Sequence, residues 1–364
     1  MGLAELSLRA IVAYGENSRL KPIVRVAQLL QSPSSWQQYF ADAYKDGHFV
    51  YEGLHQSHAT RGWTLLPSLH VQRGDVTYTT NREGFRSAHE FVNDPDRYQV
   101  VIVGDSFTFG DGIDDTATWP SLLEARNPRL NVLNLAITGY GPDQMYLTLK
   151  DALAAYRPQL IVAAYIADDL ARSLLDFRDF RKPRFVLDNG SLVLTNTPIG
   201  TPQAVLDDVR DEALRSRLQL VNMARALAGR VRESEFACDP ECVRLNERIF
   251  AAMRDISAAR GAQFLLTYLP VGQEMTDAGF QRDGEAFFRT YQASHRGDAF
   301  FNSRPELLAA AFDKSTGHYT RAETERLAAM MDREIRALPS WSAFIESPAS
   351  AARAEGPSSG RTNP

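Results

Sequence analysis

Hydrophobic residues recur along this chain in two periods. Four short apolar runs fall at residues 98–103, 130–135, 160–165 and 262–268, each bounded by polar or turn-forming residues. Runs of this length suit strands buried on both faces of a parallel sheet. Between and beyond them, helical spacing covers 119–125, 142–156, 242–260 and 321–338. Strands alternating with helices at this interval predict an α/β fold: a three-layer α/β/α sandwich around a parallel sheet.

The flanks read differently. Leu3, Leu6, Leu8, Ile11 and Val12, then Ile23, Val26, Leu29 and Leu30, recur at helical spacing. They predict a helical extension over 1–60. Residues 46–97 read as irregular, apart from one alternating stretch at 76–81. The segment 176–240 breaks the strand–helix rhythm. It begins highly charged, continues as a hairpin over 185–194 with Asn189-Gly190 as the turn signal, and then reads as an amphipathic helix over 206–232. It is expected to be an insertion in a domain running from 61 to 345, and could lid a site. Residues 346–364 are rich in Ala, Ser, Pro and Gly and read as a disordered tail.

Composition narrows the partners. The chain has 364 residues, 44% hydrophobic and 23% charged, with a formal net charge of −5. No basic run marks a nucleic-acid partner. No stretch approaches a membrane span in length, and no signal peptide is evident, so the expected location is cytoplasmic. The two cysteines, Cys238 and Cys242, are either free thiols or a local disulfide. They lack the further ligands of a zinc site.

The chemistry concentrates at Gly104-Asp105-Ser106-Phe107-Thr108-Phe109-Gly110, directly after the first apolar run. In open parallel sheets ligands bind beyond the carboxyl ends of the strands. A serine at the start of the next helix has a backbone N–H with no intrahelical partner, able to face an oxyanion. The same serine could merely cap the helix. Further along lies Asn134-Leu135-Ala136-Ile137-Thr138-Gly139-Tyr140-Gly141-Pro142. Upstream lies Thr80-Asn81-Arg82-Glu83-Gly84-Phe85-Arg86. Together these resemble the SGNH (GDSL) hydrolases. The Gly-Asp-Ser matches that family's first block, with Ser106 as nucleophile and Asp105 beside it. Gly139 matches the oxyanion glycine of its second block. The upstream segment resembles the lead-in of one bacterial branch.

A serine hydroxyl needs a base to take its proton. Of seven histidines, His318 stands in Phe312-Asp313-Lys314-Ser315-Thr316-Gly317-His318, ahead of the last helix. This resembles the family's last block, which pairs an aspartate with the histidine. The usual aspartate positions hold Ser315 and Thr316. Asp313 is therefore the expected orienting carboxylate, and a Ser-His dyad is the alternative. The family's third block supplies an asparagine to the oxyanion hole. Here that position is Ala167, followed by Asp168, a candidate substrate contact. Asn81 is a candidate replacement donor.

The resemblance implies a serine esterase that removes O-acyl groups from a carbohydrate or other small metabolite and needs no metal or organic cofactor. An acyltransferase on the same site is one alternative. A binding protein that keeps the fold is another, favoured by Ala167 and the shifted aspartate. The start, residues 3–9, also resembles the stretch that follows an N-terminal membrane helix in this branch, which would make the protein periplasmic or membrane-anchored.

Overall fold

Tyr98–Val103 (β1) is buried at every position, as a strand covered on both faces must be. It pairs in parallel with Leu130–Asn134 (β2) on one side and Leu160–Tyr165 (β3) on the other. Gln263–Tyr268 (β4) lies beyond β3, and Ala299–Asn302 (β5) beyond β4. The five-stranded sheet therefore runs β2-β1-β3-β4-β5, all parallel. Strand order reverses at β1, so the crevice between the carboxyl ends of β1 and β3 is the topological switch point, the position at which open α/β sheets bind ligands. This is a computed structural model. It describes residues 40, 53–215, 238–276, 283–308, 312–313 and 317–347.

The fold class agrees with the sequence expectation: helices cover both faces of the sheet. On one face, Trp119–Arg126 (α2) and the long helix Arg321–Ala337 (α6) pack together. Val100, Ile102, Val132, Val162 and Leu265 of the sheet share a core with Trp119, Leu123, Leu327, Met331 and Ile335. Fully burying one such aliphatic side chain is worth roughly 1.5–3 kcal/mol. On the other face, Phe250 of helix Pro240–Ala258 and Phe287 of helix Asp283–Ser294 (α5) meet the Tyr165 ring at 5.3 and 5.9 Å.

The chain divides into two compact units. Pro67–Leu170 and Val243–Pro364 form the one just described. Met1–Leu66 and Ala171–Cys242 form the other, which holds the hairpin His55–His58/Gly62–Leu65 and the hairpin Arg184–Asp188/Ser191–Thr195. The second of these turns on Asn189-Gly190, both at positive φ (49° and 78°), as a two-residue turn requires. Within the same unit Lys182 is fully buried, and its ammonium donates to the carbonyls of Arg172, Leu175 and Pro183. Cys238 and Cys242 form a disulfide.

Several short strands escaped the sequence reading. Residues 46–97 are not wholly irregular: besides the 55–65 hairpin, His70–Arg73 pairs with Val76–Thr79. His-Gln-Ser-His and His-Val-Gln-Arg carry no apolar alternation, although the first pairs with Gly62–Leu65, a strand buried throughout. β5 was missed because it is four residues long and pairs on one side only, with β4. The helix expected over 206–232 is seen as Pro202–Arg215. Its remainder lies outside the described residues. So do the helices expected over 1–45, apart from Phe40 within one, and the tail from residue 348.

Candidate active site

Ser106 opens a helix of a single turn, Ser106–Phe109 (α1), at the carboxyl end of β1. One turn cannot hold itself together in water, so its neighbours must shape it. Asp105 caps it: Oδ1 accepts the Phe107 N–H at 3.0 Å, while Oδ2 lies 3.4 Å from the Ser106 hydroxyl. Gly110 ends the turn at φ 86°. Gly104 is dictated by space. A Cβ there would stand 2.5 Å from Thr108 Oγ1 and 3.1 Å from the Ala164 carbonyl. From β2, the Asn134 side-chain N–H donates to the Thr108 carbonyl at 3.3 Å, tying the second strand to the turn.

His318 comes from 212 residues away, and its Nε2 lies 2.7 Å from Ser106 Oγ. It is half-buried, its ring 4.7 Å from the Phe107 ring. The loop that carries it is closed like a hairpin. Phe312 and Tyr319 form an antiparallel bridge, and the Asp313 N–H donates to the His318 carbonyl at 2.9 Å. The backbones of Asp313 and His318 are thus joined across the closure, although five positions separate them in sequence. The loop is anchored by Tyr319, whose hydroxyl donates to the Pro270 carbonyl at 2.8 Å. Burial, with the Asp105 charge behind it, holds the Tyr319 phenol well above its ordinary pKa, so it keeps the proton it donates.

Among the described residues, the other histidines have other surroundings. His58 meets Arg61, His70 meets Thr79, His89 lies 3.8 Å from Glu124, and His295 stacks on Tyr291. His55 is buried in its hairpin, and His48 is outside the described residues.

The remaining candidates are placed as follows. Gly139 stands in the loop after β2 at φ 82°, a conformation that favours glycine. Asp168 is exposed in the first turn of helix Ala167–Arg172 (α4), beyond β3. Asn81 is buried. Its side-chain oxygen accepts from the N–H groups of Glu83 and Phe85 at 3.1 and 2.9 Å, which shapes its own turn. Its Nδ2 has no acceptor among the described residues. Ala167 is nearly buried and packs against Gly284 near the start of α5. Among the described residues, no group of three or more His, Cys, Asp or Glu side chains could hold a metal.

The contact at Ala167 gives a direct prediction. A Cβ on Gly284 would lie 2.7 Å from Ala167 Cα and 2.7 Å from the Tyr268 ring. Glycine-to-alanine changes inside helices ordinarily stabilise by about 0.5–1 kcal/mol. Gly284→Ala is expected to destabilise instead, by about 1–3 kcal/mol, because the packed neighbours must move. Urea unfolding of the two proteins decides the sign.

Two residues of this site were not singled out from the sequence. Phe107 and Tyr319 flank His318, and only the fold brings them together. Arg86 stands within a motif, with no local sign of its role.

No family model matches the sequence, and no curated protein matches it. Solved structures do resemble it. TesA is 17% identical, matched over 66% of this chain and 98% of its own, with a TM-score of 0.41. A lipolytic protein of the G-D-S-L family from Desulfitobacterium hafniense is 14% identical over 65% of this chain and 99% of its own, at 0.39. The psychrotrophic esterase EstA from Pseudoalteromonas sp. is 12% identical over 66% and 97%, at 0.40.

Proposed function

We propose that this protein is a serine esterase that removes O-acyl groups from a carbohydrate or other small metabolite. The observation that carries the reading is the 2.7 Å contact between Ser106 Oγ and His318 Nε2 at the switch point of the sheet. A nucleophile and base at hydrogen-bond distance are the minimal acyl-transfer machinery. His318 takes the hydroxyl proton as Ser106 attacks the ester carbonyl, then returns it to the leaving alcohol. The acyl-enzyme is hydrolysed by water that His318 activates in turn. The backbone N–H groups of Ser106 and Gly139 stabilise the oxyanion. Asp313 orients the imidazole and stabilises its cation.

Ala167 removes one side-chain donor from that hole, a loss typically worth about 100- to 1,000-fold in turnover. It favours a slow or narrowly selective enzyme and, with the shifted aspartate, supports the binding-protein reading. The Cys238–Cys242 disulfide favours an oxidising compartment such as the periplasm over the cytoplasm. Among the described residues, no helix is long and apolar enough to cross a membrane.

The test is reaction with a fluorophosphonate and with p-nitrophenyl acetate, read by intact mass, peptide mapping and nitrophenol release. The expected result is one label, on Ser106, with multiple turnovers. Labelling with a single burst, plus an ester product when an acceptor alcohol is added, would make the protein a transferase. A wild-type protein that takes up no label sinks the enzyme reading and leaves binding in its place.

A further inference from the structure

The Arg86 side chain is only 3% exposed, and its partners are unusual. A guanidinium has five N–H donors, and all five are used within the protein. Nε donates to Asp115 Oδ1 at 2.8 Å. One terminal nitrogen donates to the carbonyls of Phe109 and Gly110 at 3.1 and 2.5 Å. The other donates to the carbonyls of Thr77 and Ile113 at 2.9 and 2.5 Å. The cation also lies 4.4 Å from the Tyr78 ring and 4.8 Å from the Phe109 ring.

No N–H is left over for a ligand, so this arginine acts on the chain around it. Three of its four carbonyls belong to the segment that follows Ser106. The same segment holds Ser106 from behind: the N–H groups of Gly110 and Asp111 both donate to the Ser106 carbonyl, at 2.9 and 3.0 Å. Asp105 fixes the front of the single turn and Arg86 fixes its back. The positive charge also sits at the carbonyl end of the helix, where cations are favoured. No residue with fewer donors can reproduce this. Lysine offers three donors from one point and cannot span four carbonyls and a carboxylate.

We infer that Arg86 is the positioning residue for the nucleophile: it sets the Ser106 hydroxyl and amide in their reactive geometry without touching substrate. The inference rests on the esterase reading above. A displacement of about 1 Å in a reacting group can cost on the order of 100-fold in rate, and this sets the expected effect. A cavity of about 240 Å³ lined by Arg86, Asp115, Pro120, Glu124 and Asn134 adjoins the side chain, so free guanidinium can reach its place when it is truncated.

The experiment measures the second-order rate constant of fluorophosphonate labelling for wild type, Arg86→Lys and Arg86→Ala. Each value is divided by the native fraction from near-ultraviolet circular dichroism. Expected are roughly 100-fold slower labelling per folded molecule in both variants, and acceleration of Arg86→Ala, but not of wild type, by millimolar guanidinium. Folded variants that label at the wild-type rate overturn the inference, since the arginine would then serve stability alone. If Arg86→Ala does not fold, Arg86→Lys decides. If neither folds, Arg86 is a folding determinant and the positioning role is rejected. A wild type that does not label defeats the esterase reading itself, which the variants cannot imitate.

Discussion

Ser106→Ala, His318→Ala and the double substitution are expected to reduce ester turnover by about the same factor, on the order of 10,000- to 1,000,000-fold. The reason is that the two side chains act as one device. Their 2.7 Å contact lets the imidazole accept the proton only if the hydroxyl is there to give it, and the hydroxyl is inert without that acceptor. Once either is gone, removing the other changes nothing further. What survives is whatever the oxyanion amides and substrate binding contribute. Turnover of p-nitrophenyl acetate by the four proteins, with folding checked by circular dichroism, is the measurement. Multiplicative losses in the double variant, or a His318→Ala protein within tenfold of wild type, would refute a shared mechanism.

Asp313→Asn is expected to lower kcat by about 1,000- to 10,000-fold while changing KM little, as loss of an orienting carboxylate does in triads of this kind. The support is the hairpin-like closure of the loop. Phe312 and Tyr319 are bridged, and Asp313 is bonded through its backbone to His318. An effect below tenfold on kcat would leave a Ser-His dyad.

Much of this site was legible because it is written in contiguous residues. Gly104-Asp105-Ser106 follows an apolar strand, and both requirements, small size before the turn and a capping carboxylate within it, are local. The four short apolar runs predicted the inner part of the sheet for the same reason: a strand covered on both faces must be mostly apolar. Asp313 stands five residues before His318, and linear spacing does not foretell that its backbone N–H meets the His318 carbonyl. Arg86 was visible as part of a motif and illegible in function. Its five acceptors come from Thr77, Phe109, Gly110, Ile113 and Asp115, and nothing in one segment foretells the carbonyls of another.

The sequence alone determined the α/β class and marked Ser106 and His318 as candidate nucleophile and base, since periodicity and short motifs are properties of neighbouring residues. The tertiary structure decided the rest. It added the fifth strand, whose four residues qualify only by pairing with β4. It brought Ser106 to 2.7 Å from a histidine 212 positions away. It set Gly284 against Ala167, where close packing leaves no room for a larger side chain. It turned Arg86 from one letter of a motif into the brace of a one-turn helix too short to stand alone, because hydrogen bonds and packing act through space, whatever the distance along the chain.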